Sequence, residues 1–224
     1  MKALGIIPAR GGSKGIARKN LRGIAGRPLI AYTIEAVKQC RSLTQWVTTT
    51  DDEEIASVAR ALGSVVVMRP AALAADETPM VTVVQHALAA VERSGGRFDA
   101  VVVLQPTAPL RTAEDIDAAV RLLMETRADS VISVYQVRDH HPARMYRLQE
   151  GRLVPCESEP PDRLRQGLST VFHRNGAIYA CRRSVIDQGT LIGSDARPYV
   201  MPRERSVNID DEIDLTLAEL LVHR

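Results

Sequence analysis

Apolar and polar positions follow two alternating patterns along the first 135 residues. Short apolar runs rich in β-branched residues are typical of strands buried on both faces of a sheet, and here they include "ALGIIPA", "QWVTTTDD", "SVVVM", "DAVVVLQ" and "SVISVY". Between these runs, apolar residues recur at helical spacing, as in "PMVTVVQHALAAVE", where Val84, Leu88 and Val91 share one face. The alternation predicts an α/β fold with a doubly wound, mainly parallel sheet of the Rossmann-like kind.

The pattern loosens after Tyr135. The stretch "RDHHPARMYRLQEGRLVPCESEPPDRLRQG" is polar and rich in proline, whereas "TVFHRNGAIYAC" is typical of an antiparallel strand. Order returns with "SVNID", a predicted short strand, and with "DEIDLTLAELLVHR", a predicted last helix. We therefore predict an α/β domain formed by residues 1–135 and 199–224, with a small subdomain inserted over residues 136–198.

Composition narrows the class of protein. Of the 224 residues, 45% are hydrophobic and 25% are charged, as in a globular protein with a sizeable core. The net charge of +2 is too small to predict nucleic-acid binding. Cys40, Cys156 and Cys181 are far apart and form no CxxC pair, which favours a reducing compartment over a disulfide framework or a zinc site. With no signal peptide and no apolar run of about 18 residues, we expect a cytoplasmic protein without a membrane partner.

Positive charge is concentrated directly after the first predicted strand. Arg10, Lys14, Arg18 and Lys19 lie within ten residues, and no acidic residue precedes Glu35. A loop that leaves a parallel strand lies at the carboxyl edge of the sheet, where α/β proteins bind ligands, and glycines let its backbone approach an anion. The segment therefore predicts a polyphosphate site. A flexible basic loop without a ligand is the alternative, because neither the P-loop spacing nor G-x-G-x-x-G is present.

Six motifs extend this prediction over nearly the whole chain. In order, they are "IIPARGGSKGIARKNL", "TTTDDEEIA", "RPAALAAD", "LQPTAPLRTAEDI", "RNGAIYAC" and "SVNIDDEIDL". Together they resemble the acylneuraminate cytidylyltransferase family, which comprises CMP-sialic acid synthetases and their CMP-nonulosonate synthetase relatives. The resemblance implies a nucleotidyltransferase fold, a dimerisation and sugar-binding subdomain within residues 136–198, and a homodimer.

The same resemblance implies a reaction. CMP would pass from CTP to the anomeric hydroxyl of a nine-carbon 2-keto-3-deoxy sugar acid (sialic, legionaminic, pseudaminic or related), with Mg²⁺ as cofactor and pyrophosphate as the second product. Two alternatives stay open at this point: an eight-carbon acid as the acceptor, and a CTP-binding module without catalysis.

By this resemblance, the opening segment binds the nucleotide. Arg10 and Lys19 would hold the triphosphate and stabilise charge in the transition state, and Asp210 would complete the catalytic set. Asp76 would lie near the cytidine, with capping of a helix as an equally good role. The nucleotide-binding residues implied are Ala9, Arg10, Gly11, Gly12, Ser13, Lys14, Lys19, Asn20 and Arg69.

The resemblance also implies a sugar site, formed by Gln105, Arg144, Arg165, Gln166, Asn175 and Tyr179. Several of these residues have structural alternatives. Gln105 ends a strand, where polar groups often serve turns, and Tyr179 fits a core position. Arg144 and Arg165 also fit as solvated loop arginines. Arg111 either caps local carbonyl groups or shapes the sugar pocket.

The closing motif predicts the metal site. Asn208 and Asp210 alternate with apolar residues in "SVNID", so in a strand their side chains would point together. The resemblance implies that this pair binds Mg²⁺, but the family usually has Asp at the first position. Asn208 brings an oxygen ligand without charge. Asp211 either replaces that charge or caps the last helix.

Overall fold

The computed structural model describes residues 1–13, 15–157 and 167–222. The strands are β1 (Ala3–Pro8), β2 (Gly23–Ile24), β3 (Arg27–Pro28), β4 (Gln45–Thr50), β5 (Val65–Met68), β6 (Ala100–Val103), β7 (Ser130–Gln136), β8 (Tyr146–Gln149), β9 (Arg152–Pro155), β10 (Phe172–Arg182) and β11 (Ala196–Val200). The helices are α1 (Leu29–Gln39), α2 (Glu53–Ala61), α3 (Met80–Arg93), α4 (Ala113–Thr126), α5 (Arg183–Asp187) and α6 (Glu212–Val222).

A seven-stranded sheet forms the centre of this described part, in the order β11-β7-β10-β6-β1-β4-β5. β1 pairs in parallel with both β4 and β6, β4 with β5, and β7 with β11. β10 alone of the seven runs antiparallel to its neighbours, β6 and β7. The predicted mainly parallel α/β sheet is confirmed, and so is the antiparallel strand predicted from "TVFHRNGAIYAC".

Helices cover both faces of the sheet. Side chains of α1, α2 and α4 pack on one face, and those of α3 and α5 pack on the other. β1 shows how the sequence divides between the layers: Ala3 and Ile7 join the first core, whereas Leu4 and Ile6 join the second. Period-two alternation of apolar side chains on both faces is what a doubly covered strand requires.

Short polar motifs start the helices. Thr112 Oγ1 accepts a hydrogen bond from the Asp115 backbone N–H, and an Asp115 carboxylate oxygen accepts one from the Thr112 N–H, which completes a capping box for α4. The Asp211 carboxylate accepts from the N–H groups of Ile213 and Asp214. The capping role predicted for Asp211 is therefore confirmed.

The structure corrects the C-terminal half of the predicted insertion. β10 and β11 fall within residues 136–198, yet both pair with β7 in the central sheet. The reason is burial, since Ala177, Ile178 and Cys181 of β10 are fully enclosed by the two helix layers. The hairpin β8–β9 forms its own two-stranded sheet outside the central one. A separate small subdomain around that hairpin stays a prediction.

The strand predicted for "SVNID" is not formed. Residues 206–210 run without strand pairing, and the Ile209 N–H donates to the carbonyl oxygen of Thr107 at 2.8 Å. Val207 and Ile209 are nevertheless buried against α6, as their apolar character requires. The predicted alternation of buried apolar and outward polar side chains is confirmed. The predicted strand is wrong.

Arg111 joins three elements inside the core. Its guanidinium donates to the carbonyl oxygens of Gln105 and Ala177 and to Thr33 Oγ1, at 3.2, 2.8 and 2.6 Å. Burial lowers the pKa of Arg111 to about 9, against the opposing charge of Asp115. It therefore stays protonated at neutral pH, and the role of capping carbonyl groups is the one that the structure shows.

We expect Arg111→Met to lower the free energy of unfolding by about 2 kcal/mol or more, because buried acceptors on α1, β10 and the end of β6 lose their donors. Urea denaturation measures the change. The matched control is Arg197→Met, which removes a half-exposed ion pair with Asp195 and should change stability by no more than about 0.5 kcal/mol. Equal midpoints for the two variants would contradict the assignment.

Candidate active site

A cavity of about 540 Å³ opens at the carboxyl ends of β1, β5 and β6. Its volume lies within the range that small-molecule sites usually have. We call it the first cavity, and its walls are formed by Pro8, Arg10, Ser13, Gly15, Lys19, Asn20, Arg69, Leu73, Ala74, Ala75, Asp76, Thr78, Met80, Val83, Gln105, Pro106, Thr107, Asn208 and Asp210.

Four predicted residues of the basic loop after β1 line this cavity: Arg10, Ser13, Lys19 and Asn20. Lys19 Nζ donates to the Ile209 carbonyl oxygen at 2.7 Å and lies 3.3 Å from Asp210 Oδ1, and its side chain is only 12% exposed. Arg10 Nη1 lies 2.7 Å from Asp76 Oδ1 across the cavity. Asn20 is buried and donates to the Arg10 carbonyl oxygen, which fixes the backbone that carries Arg10. Arg10, Lys19 and Asn20 thus line the same cavity.

The acidic pair at the end of β4 holds this loop. Asp51 Oδ1 accepts from the Gly11 N–H at 3.3 Å and from Arg69 Nη2 at 3.2 Å. A Cβ at Gly11 would come within 2.7 Å of Asp52 Oδ2, so this position requires glycine. The role of Asp51 was not predicted from the sequence. The available signal was two acids directly after a buried strand, at the same sheet edge as the basic loop.

Arg69 is almost completely buried, which is unusual for a charged residue. Its side chain is 3% exposed. Burial lowers the pKa of Arg69, and the Asp51 carboxylate opposes that shift. Its Nε is buried and has no hydrogen-bond partner among the described residues. A buried donor without a partner costs free energy, so this group fits an acceptor on a ligand.

Asn208 and Asp210 lie together at the cavity wall, as predicted. Asn208 Nδ2 donates to Asp210 Oδ2 at 2.8 Å. A Cβ at Gly15 would overlap the carbonyl oxygen of Asp210, so the basic loop packs tightly against this segment. The amide nitrogen of Asn208, rather than its oxygen, faces the carboxylate.

The side chains at this wall include one carboxylate that fits Mg²⁺. Asp210 offers a carboxylate whose side chain is 73% exposed, and Mg²⁺ is often held by one or two carboxylates together with substrate phosphates. Asp210 therefore fits a cation shared with a phosphate. In the described ranges, no group of three or more His, Cys, Asp and Glu side chains is arranged to hold a metal by itself.

A second cavity of about 520 Å³ lies on the other side of Asn208 and Asp210. Its cations are Arg174 and Arg203, which the sequence analysis did not select. We call it the second cavity, and its walls are formed by Tyr135, His173, Arg174, Asn175, Arg203, Glu204, Ser206, Val207, Asn208, Asp210, Asp214, Leu217 and Leu221.

Asn175 supports the wall of the second cavity. It is buried, its Nδ2 donates to Ser206 Oγ at 2.9 Å, and its Oδ1 accepts from Ser133 Oγ at 2.6 Å. Gly176 follows with a φ of +71°, and a Cβ there would lie 2.9 Å from Gln105 Oε1. These contacts fix the irregular part of β10, where the pairing with β7 shifts register between Arg174 and Tyr179, beside both cavities.

Other predicted site residues lie away from the two cavities or are not among the described residues. Tyr179 pairs with Val103 and packs on the core that contains α3, which is its core alternative. Arg144 is exposed, lies 3.3 Å from Asp139, and is not part of either cavity wall. Asp76 does not cap α3, which begins at Met80. Ala9 and Gln105 lie at the ends of β1 and β6, Gly12 has open space around it, and Lys14, Arg165 and Gln166 fall outside the described residues.

Comparison with known proteins gives the family. A family model described as cytidylyltransferase matches residues 4–152. The CMP-N,N'-diacetyllegionaminic acid synthase of Legionella pneumophila is 34% identical to this chain, over 99% of the chain and 97% of the relative. The pseudaminic acid cytidylyltransferase of Campylobacter jejuni is 30% identical over 99% of the chain and 96% of the relative. The chain belongs to the cytidylyltransferase family and is a nucleotidyltransferase.

A third relative is longer. The N-acylneuraminate cytidylyltransferase of Escherichia coli is 31% identical over 97% of this chain, which spans about half (51%) of that relative's length. Among solved structures, a CMP:2-keto-3-deoxy-manno-octonic acid synthetase complexed with CTP superposes with a TM-score of 0.74 at 17% identity, covering 100% of this chain and 99% of that one. This likeness shows a shared fold.

In the described part of the chain, no helix has the length and apolar run needed to cross a bilayer.

We expect Asp51→Asn to lower the free energy of unfolding by about 1–3 kcal/mol, because buried Arg69 would keep its charge and lose its counter-charge. Chemical denaturation measures the change. Asp139→Asn is the matched control, since it removes an exposed pair with Arg144, and its effect should stay within about 0.5 kcal/mol. A loss in Asp51→Asn no larger than in the control would show that Asp51 does not hold Arg69.

Proposed function

We propose that this chain transfers CMP from CTP to the anomeric hydroxyl of a nine-carbon 2-keto-3-deoxy sugar acid and releases pyrophosphate. The observation that carries the proposal is the convergence of Arg10, Lys19 and Asp210 on one cavity at the carboxyl edge of the sheet. The family supplies the reaction class. The relatives' names include N-acylneuraminate, diacetyllegionaminic acid and pseudaminic acid, which supports the nine-carbon acids as a class.

The first cavity suits the triphosphate. Lys19 uses two of its three donors on Ile209 and Asp210, which leaves one for a phosphate oxygen. Arg10 offers a planar fork that can exchange the Asp76 carboxylate for phosphate. Phosphoryl-type transfer depends mainly on positioning and on offsetting developing negative charge. These residues supply both, because their geometry is fixed before the ligand arrives.

Mg²⁺ is the proposed cofactor, and Asp210 is the residue that would hold it. When bound, the ion would offset negative charge on the phosphate oxygens. The Lys19 ammonium and the Asn208 amide contact the same carboxylate.

The second cavity suits the sugar acid. It shares the Asn208–Asp210 wall with the first cavity, so an acceptor there would lie next to the phosphates. Arg174 and Arg203 offer cations for its carboxylate. Gln105 lies at the boundary, close to Gly176. Contacts from Arg144, Arg165 and Gln166 stay predictions.

The test of this function is mass spectrometry of the products formed from CTP, Mg²⁺ and single acids. The panel contains N-acetylneuraminate, legionaminate, pseudaminate, the deaminated nonulosonate and the eight-carbon acid. We expect a CMP adduct and pyrophosphate with at least one nine-carbon acid. CTP binding without any adduct would contradict transfer, and an adduct with the eight-carbon acid alone would contradict the nine-carbon assignment.

The variant Lys19→Ala tests the triphosphate site. Loss of one preorganised charge should reduce turnover by about 10²–10³-fold with the fold intact. Lys38→Ala removes the same charge from the exposed face of α1 and should keep the full rate. Full activity in Lys19→Ala would show that the triphosphate binds elsewhere.

A homodimer belongs to the same proposal and is supported by the β8–β9 hairpin. Leu148 and Leu153 face each other across its ladder and are 74% and 69% exposed. Tyr146 and Phe172 are also exposed. A two-stranded hairpin has marginal stability alone, so a second copy packing on this apolar surface would stabilise it.

A cytoplasmic location stays a prediction, with three free thiols in its favour.

We expect Leu148→Glu to weaken the dimer by at least about tenfold, because a buried carboxylate would oppose packing of the second copy. Sedimentation equilibrium measures the association. Met124→Glu, on the exposed side of α4, is the control and should leave the dimer intact. A monomeric wild-type chain, or a dimer unaffected by Leu148→Glu, would contradict the assigned surface.

A further inference from the structure

Both oxygens of the Asp210 carboxylate are already engaged by donors. Lys19 Nζ lies 3.3 Å from Oδ1, and Asn208 Nδ2 lies 2.8 Å from Oδ2. A carboxylate oxygen can accept more than one interaction, so Asp210 can still coordinate a cation. The cation would, however, meet an ammonium and an amide N–H₂ around its ligand instead of further oxygens.

The orientation of the Asn208 amide follows from electrostatics. A carboxylate attracts the amide nitrogen and repels the amide oxygen, so the nitrogen faces Asp210. Asn208 Oδ1 is consequently turned away. It is buried without a hydrogen-bond partner among the described residues, and a Cβ at Gly176 would lie 3.2 Å from it. The oxygen on which a metal ligand role depends is therefore on the other side of the amide.

The neighbouring acids do not replace it. Asp211 Oδ1 accepts from the N–H groups of Ile213 and Asp214, and Asp214 Oδ2 accepts from those of Asp210 and Asp211. Glu212 lies 3.1 Å from the Arg22 guanidinium. Asp211 and Glu212 line neither cavity, and Asp214 lines only the second cavity, so none of the three lies with Asp210 in the wall of the first cavity.

Charge points the same way. The Lys19 ammonium offsets the single negative charge of Asp210, so a divalent cation at that carboxylate adds positive charge beside an existing cation. Only an anion in the first cavity restores the balance. A triphosphate supplies several negative charges and oxygen ligands that Mg²⁺ prefers.

We propose that Asn208 makes Asp210 a conditional metal ligand, so that the divalent cation enters together with the triphosphate instead of being held by the protein beforehand. The triphosphate as occupant rests on the proposed function. Binding of cation and polyphosphate is then strongly coupled, and the coupling is reciprocal. Replacing the Asn208 amide by a carboxylate would remove a donor from Asp210 and add a charged ligand, which makes a cation site independent of phosphate.

The test measures free Mn²⁺ by electron paramagnetic resonance, first without any phosphate. We expect the wild type to bind no more Mn²⁺ than Asp210→Ala, and Asn208→Asp to bind one ion about tenfold more tightly or better. Gln188→Glu adds the same charge at an exposed position beyond α5 and should match the wild type. Asn208→Asp combined with Asp210→Ala should lose the new site.

A second arm uses inorganic triphosphate, so that it does not depend on CTP as the substrate. Mn²⁺ should tighten triphosphate binding by at least about fivefold in the wild type, and Asp210→Ala should remove that coupling. Asn208→Ala, which removes the donor without adding charge, serves if Asn208→Asp is poorly folded, and it should bind Mn²⁺ no more weakly than the wild type. Wild-type Mn²⁺ binding without phosphate that depends on Asp210, or no gain in Asn208→Asp, would overturn the proposal. Failure to form a CMP adduct would overturn the proposed function and leave these Mn²⁺ results standing.

Discussion

Mutual repulsion among cations is the constraint on which this site depends. Arg10, Arg18, Lys19 and Arg69 are brought to one edge of the sheet, and each is tied to an acid there: Asp76, Glu54, Asp210 and Asp51 respectively. Without these partners, like charges in a partly buried loop would push the loop outward. The acids come from the end of β4, the first turn of α2, the segment before α3 and the segment before α6, so the fold itself assembles the counter-charges.

The same pairing explains how the site can be preorganised and still bind an anion. An exposed or half-exposed ion pair contributes little free energy, so Arg10 can exchange Asp76 for phosphate at small cost. Arg69 differs because its side chain is almost fully buried, and its pair with Asp51 fixes the loop as well. The Arg10–Asp76 pair can open to bind an anion, whereas the Arg69–Asp51 pair stays closed and holds the loop in place.

Much of this arrangement was readable in the sequence. The parallel sheet follows from apolar runs such as "DAVVVLQ", and the basic loop was placed correctly because a loop after β1 must lie at the carboxyl edge. The roles of Asp51, Arg174 and Arg203 were not predicted, since their importance comes from which side chains face each other across strands distant in sequence. "SVNID" was assigned to a strand because alternation alone does not show whether a neighbouring strand is free to pair.

The two halves of the proposed reaction differ in how local their determinants are. The family model spans residues 4–152, which contain the basic loop, Asp51, Arg69 and Gln105, so the nucleotide side is set by one continuous part of the chain. The second cavity is lined by Tyr135 and by residues of β10, of the stretch between β11 and α6, and of α6 itself. Asn208 and Asp210 lie where these halves meet. A side-chain change there alters how cation, phosphate and acceptor depend on one another, and it breaks no strand pairing because this segment has none.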